Sequence, residues 1–203
     1  MDDNDQTRRL IVTQGDITLI PLPEGALVNP SNTGMILGRG VSAAIARRGG
    51  PFIQQTLHMA RSSLRNNRLD PGKAIDTEPG QLHAKRLIHV AIVGAKKINN
   101  RLISNAILNA LDLADDRGLK QIAFPAIGCG LAGFPLDKFL ELFWRIIAEE
   151  YPRTQHLREV YLCLFDENEF AVARDYAAAH QDELPESITL EINESGLTPG
   201  MFR

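Results

Sequence analysis

Cysteine is scarce in this chain, with Cys129 and Cys163 the only two among 203 residues. So few thiols cannot frame a disulfide-stapled domain or a zinc cluster, and they suit a reducing compartment. Histidines stand at 58, 83, 89, 156 and 180 without H-E-x-x-H or comparable ligand spacing. No metal is expected, and His89, inside an apolar run, reads as a core residue. Long apolar runs are missing too. None approaches the roughly 18 residues of a membrane span, and the polar start from Met1 to Thr7 does not resemble a signal peptide. A cytoplasmic location is expected, or a nuclear one if the source has a nucleus. Positive charge is not in excess: the net charge is -3 and the pI near 6.0. Without a broad basic field, any anion site must be local. Arg61, Arg65 and Arg68, with Lys96 and Lys97, lack interleaved aromatics and read as solvated faces rather than a nucleic-acid patch.

What is present suffices for one full core, since 44% of the residues are hydrophobic. Strands are predicted near Leu10 to Thr13, Ala26 to Asn29, Lys73 to Thr77, Arg86 to Val93, Lys120 to Phe124 and Glu159 to Phe165, with a short piece at Ile17 to Ile20. Ile103, Ile107, Ala110, Leu111 and Ala114 recur at helical spacing, as do Leu136, Phe139, Leu140, Phe143 and Ile147. Further helices are predicted from Val41, over Pro51 to Leu64, and from Glu167 to about Gln181. Alternating strands and helices imply a three-layer α/β/α sandwich around a mixed central sheet. Residues 1–184 read as the domain. Residues 185–203 read as an extension, with Ile188 to Ile192 an edge strand or a linker piece and Gly196 to Arg203 a tail able to mediate self-association.

Two glycine loops stand out. Phe124-Pro-Ala-Ile-Gly128-Cys-Gly130-Leu-Ala-Gly133-Phe-Pro135 lies between an apolar strand and an apolar helix opened by Pro135 and Asp137. Its glycines remove side chains that would hold a ligand off the backbone, and amides at a helix N-terminus favour an anion. The G-x-G-x-x-G spacing also occurs in dinucleotide-binding folds, but there it follows the first strand, with an acid about 20 residues on. Here it falls past mid-chain, which argues against hydride transfer. The second loop, Asn29-Pro-Ser-Asn32-Thr-Gly34 running to Gly38-Arg39-Gly40, again joins a strand to a helix. Its Asn amides suit sugar hydroxyls or ordinary turns. Upstream, Gly15-Asp16 places a carboxylate just past a strand end, where α/β proteins contact ligands.

Taken in order, the early acid, the Asn-rich loop and the later glycine loop resemble the macro domain family over roughly residues 8 to 180. Val28-Asn-Pro-Ser-Asn32, Gly40-Val41 and Ile122 to Gly130 carry the resemblance most. Within the family, Leu111-Asp-Leu-Ala-Asp-Asp116 with the second loop looks closest to the macro domains of histone macro variants. The resemblance implies a binder of ADP-ribose or ADP-ribosylated protein. Asp16 would take the adenine amino group, beside the amide of Ile17, and Asn32 would reach the distal ribose. The diphosphate would lie between Gly38, Gly40 and Val41 on one side and Ile127, Gly128, Cys129, Gly130 and Leu131 on the other. Phe134 would help close the distal end, and Phe165 would lie against the adenosine or else sit in the core. No cofactor is implied beyond the ADP-ribose ligand.

Turnover is the open question. Hydrolysis at the distal ribose needs a water held by a base. One hydrolase branch of the family carries an Asp directly after its Gly-Val pair, where this chain has Ser42; another uses an acid in the later loop, where this chain has Ala132. Binding without efficient turnover is the expectation, with an ADP-ribosyl hydrolase or O-acyl-ADP-ribose deacylase as the alternative. Cys129, between two glycines in amide-rich surroundings, could carry a lowered pKa, although packing is its expected role.

Overall fold

The computed structural model describes residues 7–94 and 98–197. Met1 to Gln6, Lys96, Lys97 and the end of the tail, 198–203, lie outside the described residues. In chain order the elements are β1 (Arg8–Gln14), a 3-10 turn (Ile17–Leu19), β2 (Leu22–Asn32), α1 (Val41–Gly49), α2 (Phe52–Ser62), β3 (Ala74–Thr77), β4 (Ala84–Val93), α3 (Asn100–Asp116), β5 (Gln121–Pro125), α4 (Leu136–Glu150), β6 (Glu159–Leu164), α5 (Glu167–Ala179) and β7 (Ile188–Asn193). The strands form one sheet in the order β3-β4-β2-β5-β6-β1-β7. Among the described residues β3 pairs antiparallel with β4 and the other pairs are parallel, so the sheet is mixed.

Alternation along the strands builds two apolar layers. Val28, Ile88, Ile122, Phe124 and Leu162 face α3, α4 and α5, whose Ile103, Ile107, Phe139 and Phe143 complete the larger core. Leu27, Leu87, Ala91, Ala123 and Cys163 point the other way, onto Ile45 of α1 and Ile53 and Leu57 of α2. A side-chain period of two on central strands, with a helical stripe above and below, gives the three-layer sandwich expected from the sequence.

Two local expectations change, and one alternative is decided. Ile17 to Ile20 is not a strand: Asp16 caps a 3-10 turn there by accepting the Thr18 amide at 3.0 Å. The second strand does not halt at Pro30 but runs on to Asn32, pairing Pro30 with Val90 of β4. Its pairing with β5 ends at Leu27, so the missing proline N–H costs no ladder bond on that side. The extension resolves in favour of a strand, since β7 adds to the free edge of β1 in parallel register. Beyond it, the Leu197 amide donates to Gln14 O at 2.8 Å, bringing the chain back beside the end of β1.

Candidate functional site

β1, β5 and β6 are neighbours running in one direction, so their carboxyl ends open together. The residues just past those ends line a cleft of about 380 Å³: Gly15 and Asp16 after β1, Ala126 after Pro125 of β5, and Phe165 after Leu164 of β6. One flank is the start of α1, through Gly40, Val41, Ala43, Ala44 and Arg47; the other is the later glycine loop, through Cys129 and Gly130. The size falls within the range typical of small-ligand pockets, and its place at strand carboxyl ends is where α/β proteins bind ligands.

Of the residues singled out from sequence, Asp16, Ile17, Gly40, Val41, Cys129, Gly130 and Phe165 come together along this cleft. Six do not line it. Ile127 and Phe134 belong to the larger core, so the Phe134 ring packs inside rather than at an open end. Gly128 turns the backbone at φ 87°, a conformation glycine tolerates best. Leu131 and Gly38 are exposed beyond the lining residues. Asn32 spends its amide on its own loop, donating to Ile36 O at 2.7 Å and accepting from the Ile36 amide at 3.2 Å. Asn29 is likewise turned inward: its Oδ1 accepts from Ser42 Oγ at 2.8 Å and its Nδ2 meets His89 Nδ1 at 3.0 Å. Both side-chain amides are therefore oriented by partners within the protein.

The loops hold their shape through their own backbone. In the later loop the Cys129 amide donates to Ala126 O, the Gly133 amide to Gly130 O and the Phe134 amide to Gly128 O. Among the described residues the Gly130 amide, at the cleft lining, and the Leu131 amide just beyond it meet no acceptor, so two donors stay available on this loop. On the facing flank Gly40, at φ 57°, starts α1 without a side-chain cap. The first amides of a helix have no intrahelical partner, which leaves this end suited to an anion. The earlier loop is pinned below by Met35, fully buried, and by Arg61 donating to Gly34 O at 3.2 Å.

Charges at the cleft are sparse and mixed: Arg47 against Asp16 and Glu169. Burial pushes the Asp16 carboxyl up, but the Thr18 hydroxyl and amide and the Arg48 guanidinium outweigh it and hold its pKa below the ordinary value. Its Oδ1 is taken by Thr18, whereas Oδ2 faces Arg48 at 3.2 Å. A carboxylate oxygen can accept more than one donor, so Oδ2 keeps capacity for a ligand N–H. Burial raises the Glu169 pKa, with Asp166 adding to it. Burial also pushes the Cys129 thiol up to about 12, reinforced by Glu169 and Asp137. Cys129 packs against the larger core, the role expected of it, and burial with the nearby carboxylates outweighs the lowering that its amide-rich surroundings could have given. Phe165 is 77% exposed. Its ring stands at the rim rather than in the core. Among the described residues no group of His, Cys, Asp and Glu side chains could hold a metal ion, and no helix is long and apolar enough to cross a membrane.

Several lining residues escaped the sequence reading, notably Ala43, Ala44, Arg47 and Glu169. The first three follow from helical periodicity once Gly40 and Val41 are placed at a site, because residues three and four apart share a face. Glu169 had no comparable signal; it reaches the cleft because α5 begins directly after Phe165.

A mixed sheet between two helical layers, with a ligand-sized cleft between two glycine loops at the strand ends, defines an α/β binding fold. The family model described as Macro domain matches residues 28–143, and the chain belongs to that family. It is 33% identical over 165 residues to an O-acetyl-ADP-ribose deacetylase of Cronobacter sakazakii, covering 80% of this chain and 89% of that protein. It is 34% identical over 174 residues to one of Salmonella typhimurium, covering 84% and 93%. Among solved structures, a mutant Oceanobacillus iheyensis macrodomain with ADPR superposes at a TM-score of 0.77 with 26% identity, covering 85% of this chain and 94% of that one. The Trypanosoma brucei macrodomain in complex with ADP-ribose shares the fold at 0.69, with 24% identity and 81% and 68% coverage.

Proposed function

We propose that this chain binds ADP-ribose, free or attached to protein, with little or no turnover. The observation that carries this reading is the cleft itself: a carboxylate at Asp16, an exposed aromatic at Phe165, and two backbone segments, 40–41 and 129–130, flanking the space between. Asp16 takes the adenine amino group, Phe165 lies on the adenosine, and the start of α1 and the Gly130 and Leu131 amides hold the diphosphate. Hydrogen bonds to charged groups contribute roughly 1.5 to 3 kcal/mol each, enough for three or four to sustain an affinity near micromolar. Asn32, oriented by its bonds to Ile36, offers its remaining N–H to the distal ribose.

Two observations support weak or absent turnover. Ser42 donates its hydroxyl hydrogen to Asn29 and is buried, so it has no base to activate it or a water. Ala132 carries no ionisable group. The likeness to histone macro variants rests partly on Leu111 to Asp116, which serves packing and loop anchoring: Leu111 and Ala114 are core, and Asp115 accepts the amides of Gln155 and His156. The competing reading, a deacetylase acting at the distal ribose, is favoured by the names of the bacterial relatives. Calorimetry with ADP-ribose, AMP, ADP and NAD, followed by incubation with O-acetyl-ADP-ribose and an ADP-ribosylated peptide, separates the two. Saturable ADP-ribose binding with no product over hours supports the binder; product release that stops in Asn32→Ala while binding persists makes it an enzyme; absence of binding rejects both.

A further inference from the structure

A run of polar side chains crosses the otherwise apolar layer between the sheet and α1. Ser42 Oγ donates to Asn29 Oδ1 at 2.8 Å, Asn29 Nδ2 meets His89 Nδ1 at 3.0 Å, and His89 Nε2 meets Thr77 Oγ1 at 2.9 Å. All four residues are buried, Asn29 and His89 completely. The Asn29 amide nitrogen can only donate, so His89 Nδ1 must accept. His89 Nε2 then carries the hydrogen and donates to Thr77, whose hydroxyl donates onward to Glu78 O at 3.3 Å. Every polar atom along the run has a partner, and each end sets the orientation of the next group. Burial holds the ring neutral, pushing its pKa down to about 3 against a smaller opposing pull from Asp76.

The run ends at a specific place. Ser42 is the second residue of α1, and Gly40 and Val41 before it line the cleft. Gly40 has no side chain to cap the helix, and Gly38, Arg39 and Gly40 are exposed. The Ser42 bond to Asn29, backed by the Pro30 carbonyl at 3.4 Å, is thus the side-chain tie between the start of α1 and the sheet.

We infer that His89 is a positioning residue for the diphosphate side of the cleft: through Asn29 and Ser42 it fixes where the first amides of α1 stand. The inference rests on the ADP-ribose reading. It separates His89 from an ordinary core residue because it concerns one side of the cleft. The purine side, built on Asp16 and Phe165, belongs to β1 and β6 and is outside the run.

The test compares two probes, ADP-ribose by calorimetry and adenosine, which lacks the phosphates, by NMR titration. Wild type, His89→Gln, His89→Leu and Thr77→Val are measured, each with a melting curve. Thr77→Val breaks the run from the edge strand β3, and His89→Leu removes its centre. Each should weaken ADP-ribose about tenfold, the scale of one net hydrogen bond, and leave adenosine within about twofold. His89→Gln keeps an acceptor and a donor and should recover most of the loss. Parallel weakening of both probes, or unchanged ADP-ribose affinity in all variants, overturns the inference while wild-type binding leaves the functional reading standing. Wild-type protein that takes up no ADP-ribose sinks both. If the variants do not fold, nitrogen chemical shifts of the wild-type ring decide: Nε2 protonated and unchanged between pH 5 and 8 is expected, and a charged ring or an Nδ1–H tautomer contradicts the run.

Discussion

Glutamate at position 130 should weaken binding sharply without touching the fold. Gly130 is exposed, a Cβ built on it meets nothing within 4 Å, and its φ is not in the left-handed region. The side chain therefore enters open space at the cleft edge and perturbs no packing. Its carboxylate would stand beside the two negative charges of the diphosphate. At about 5 Å, each unit pair repels by about 0.8 kcal/mol in bulk water and about 3 kcal/mol at an effective dielectric of about 20. Two charges give about 2 to 6 kcal/mol, and the exposure of Gly130 favours the lower half of that range. A weakening of about 30- to 1,000-fold follows for Gly130→Glu. Gly130→Ala, which adds only a methyl to open space, should bind within about threefold of wild type, as one small exposed change does. Calorimetry of the three proteins with ADP-ribose, alongside melting curves, checks this. Repulsion should ease as salt rises, because the Debye length is about 8 Å at 0.15 M. A folded Gly130→Glu protein with wild-type affinity would refute the placement of the diphosphate at this loop.

The neighbouring glycine should behave oppositely. A Cβ at Gly128 would sit 2.8 Å from Ile103 Cδ1 on a backbone at φ 87°, so Gly128→Ala should cost about 2 kcal/mol and lower Tm by roughly 4 to 8 °C; an unchanged melting curve would contradict the described turn. Phe165→Ala should leave Tm within about a degree, because the ring is mostly exposed. It should also weaken ADP-ribose roughly five- to tenfold through lost stacking on the adenosine; unaltered affinity would remove Phe165 from the site. Stability should also fall in mild acid. His89 titrates near 3 when folded and near 6.5 when unfolded, so its contribution is complete above pH 6.5 and is lost as pH falls toward 3. Between pH 7 and 5 the loss is about 2 kcal/mol. Urea midpoints should show it in wild type and not in His89→Leu; a flat wild-type midpoint over that range would be the contrary result.

Much of the site was legible because glycine, proline and an acid at strand ends have few structural uses. Gly40-Val41 and Cys129-Gly130 fall where turn chemistry between a strand and a helix puts them, and Asp16 follows the end of β1. Hydrogen-bond partners were not legible. Asn29 and Asn32 have the same side chain and the same loop setting, yet one is consumed by His89 and Ser42 and the other by Ile36. Nothing in residue type distinguishes an amide facing a ligand from one folded back on its own backbone. Phe134 and Phe165 show the same limit for aromatics. Both adjoin apolar segments, but Phe134 packs in the larger core, whereas Phe165 lies one residue past β6 and is mostly exposed. The helices and strands themselves were placed by apolar period, apart from the Asp16-capped turn and the passage of β2 through Pro30.

The most direct test is a crystal structure with ADP-ribose present at saturating concentration. The account predicts adenine at Asp16 and Phe165 and the diphosphate within hydrogen-bond reach of the α1 start and the Gly130 and Leu131 amides. A ligand bound elsewhere, or a cleft left empty under those conditions, would contradict it.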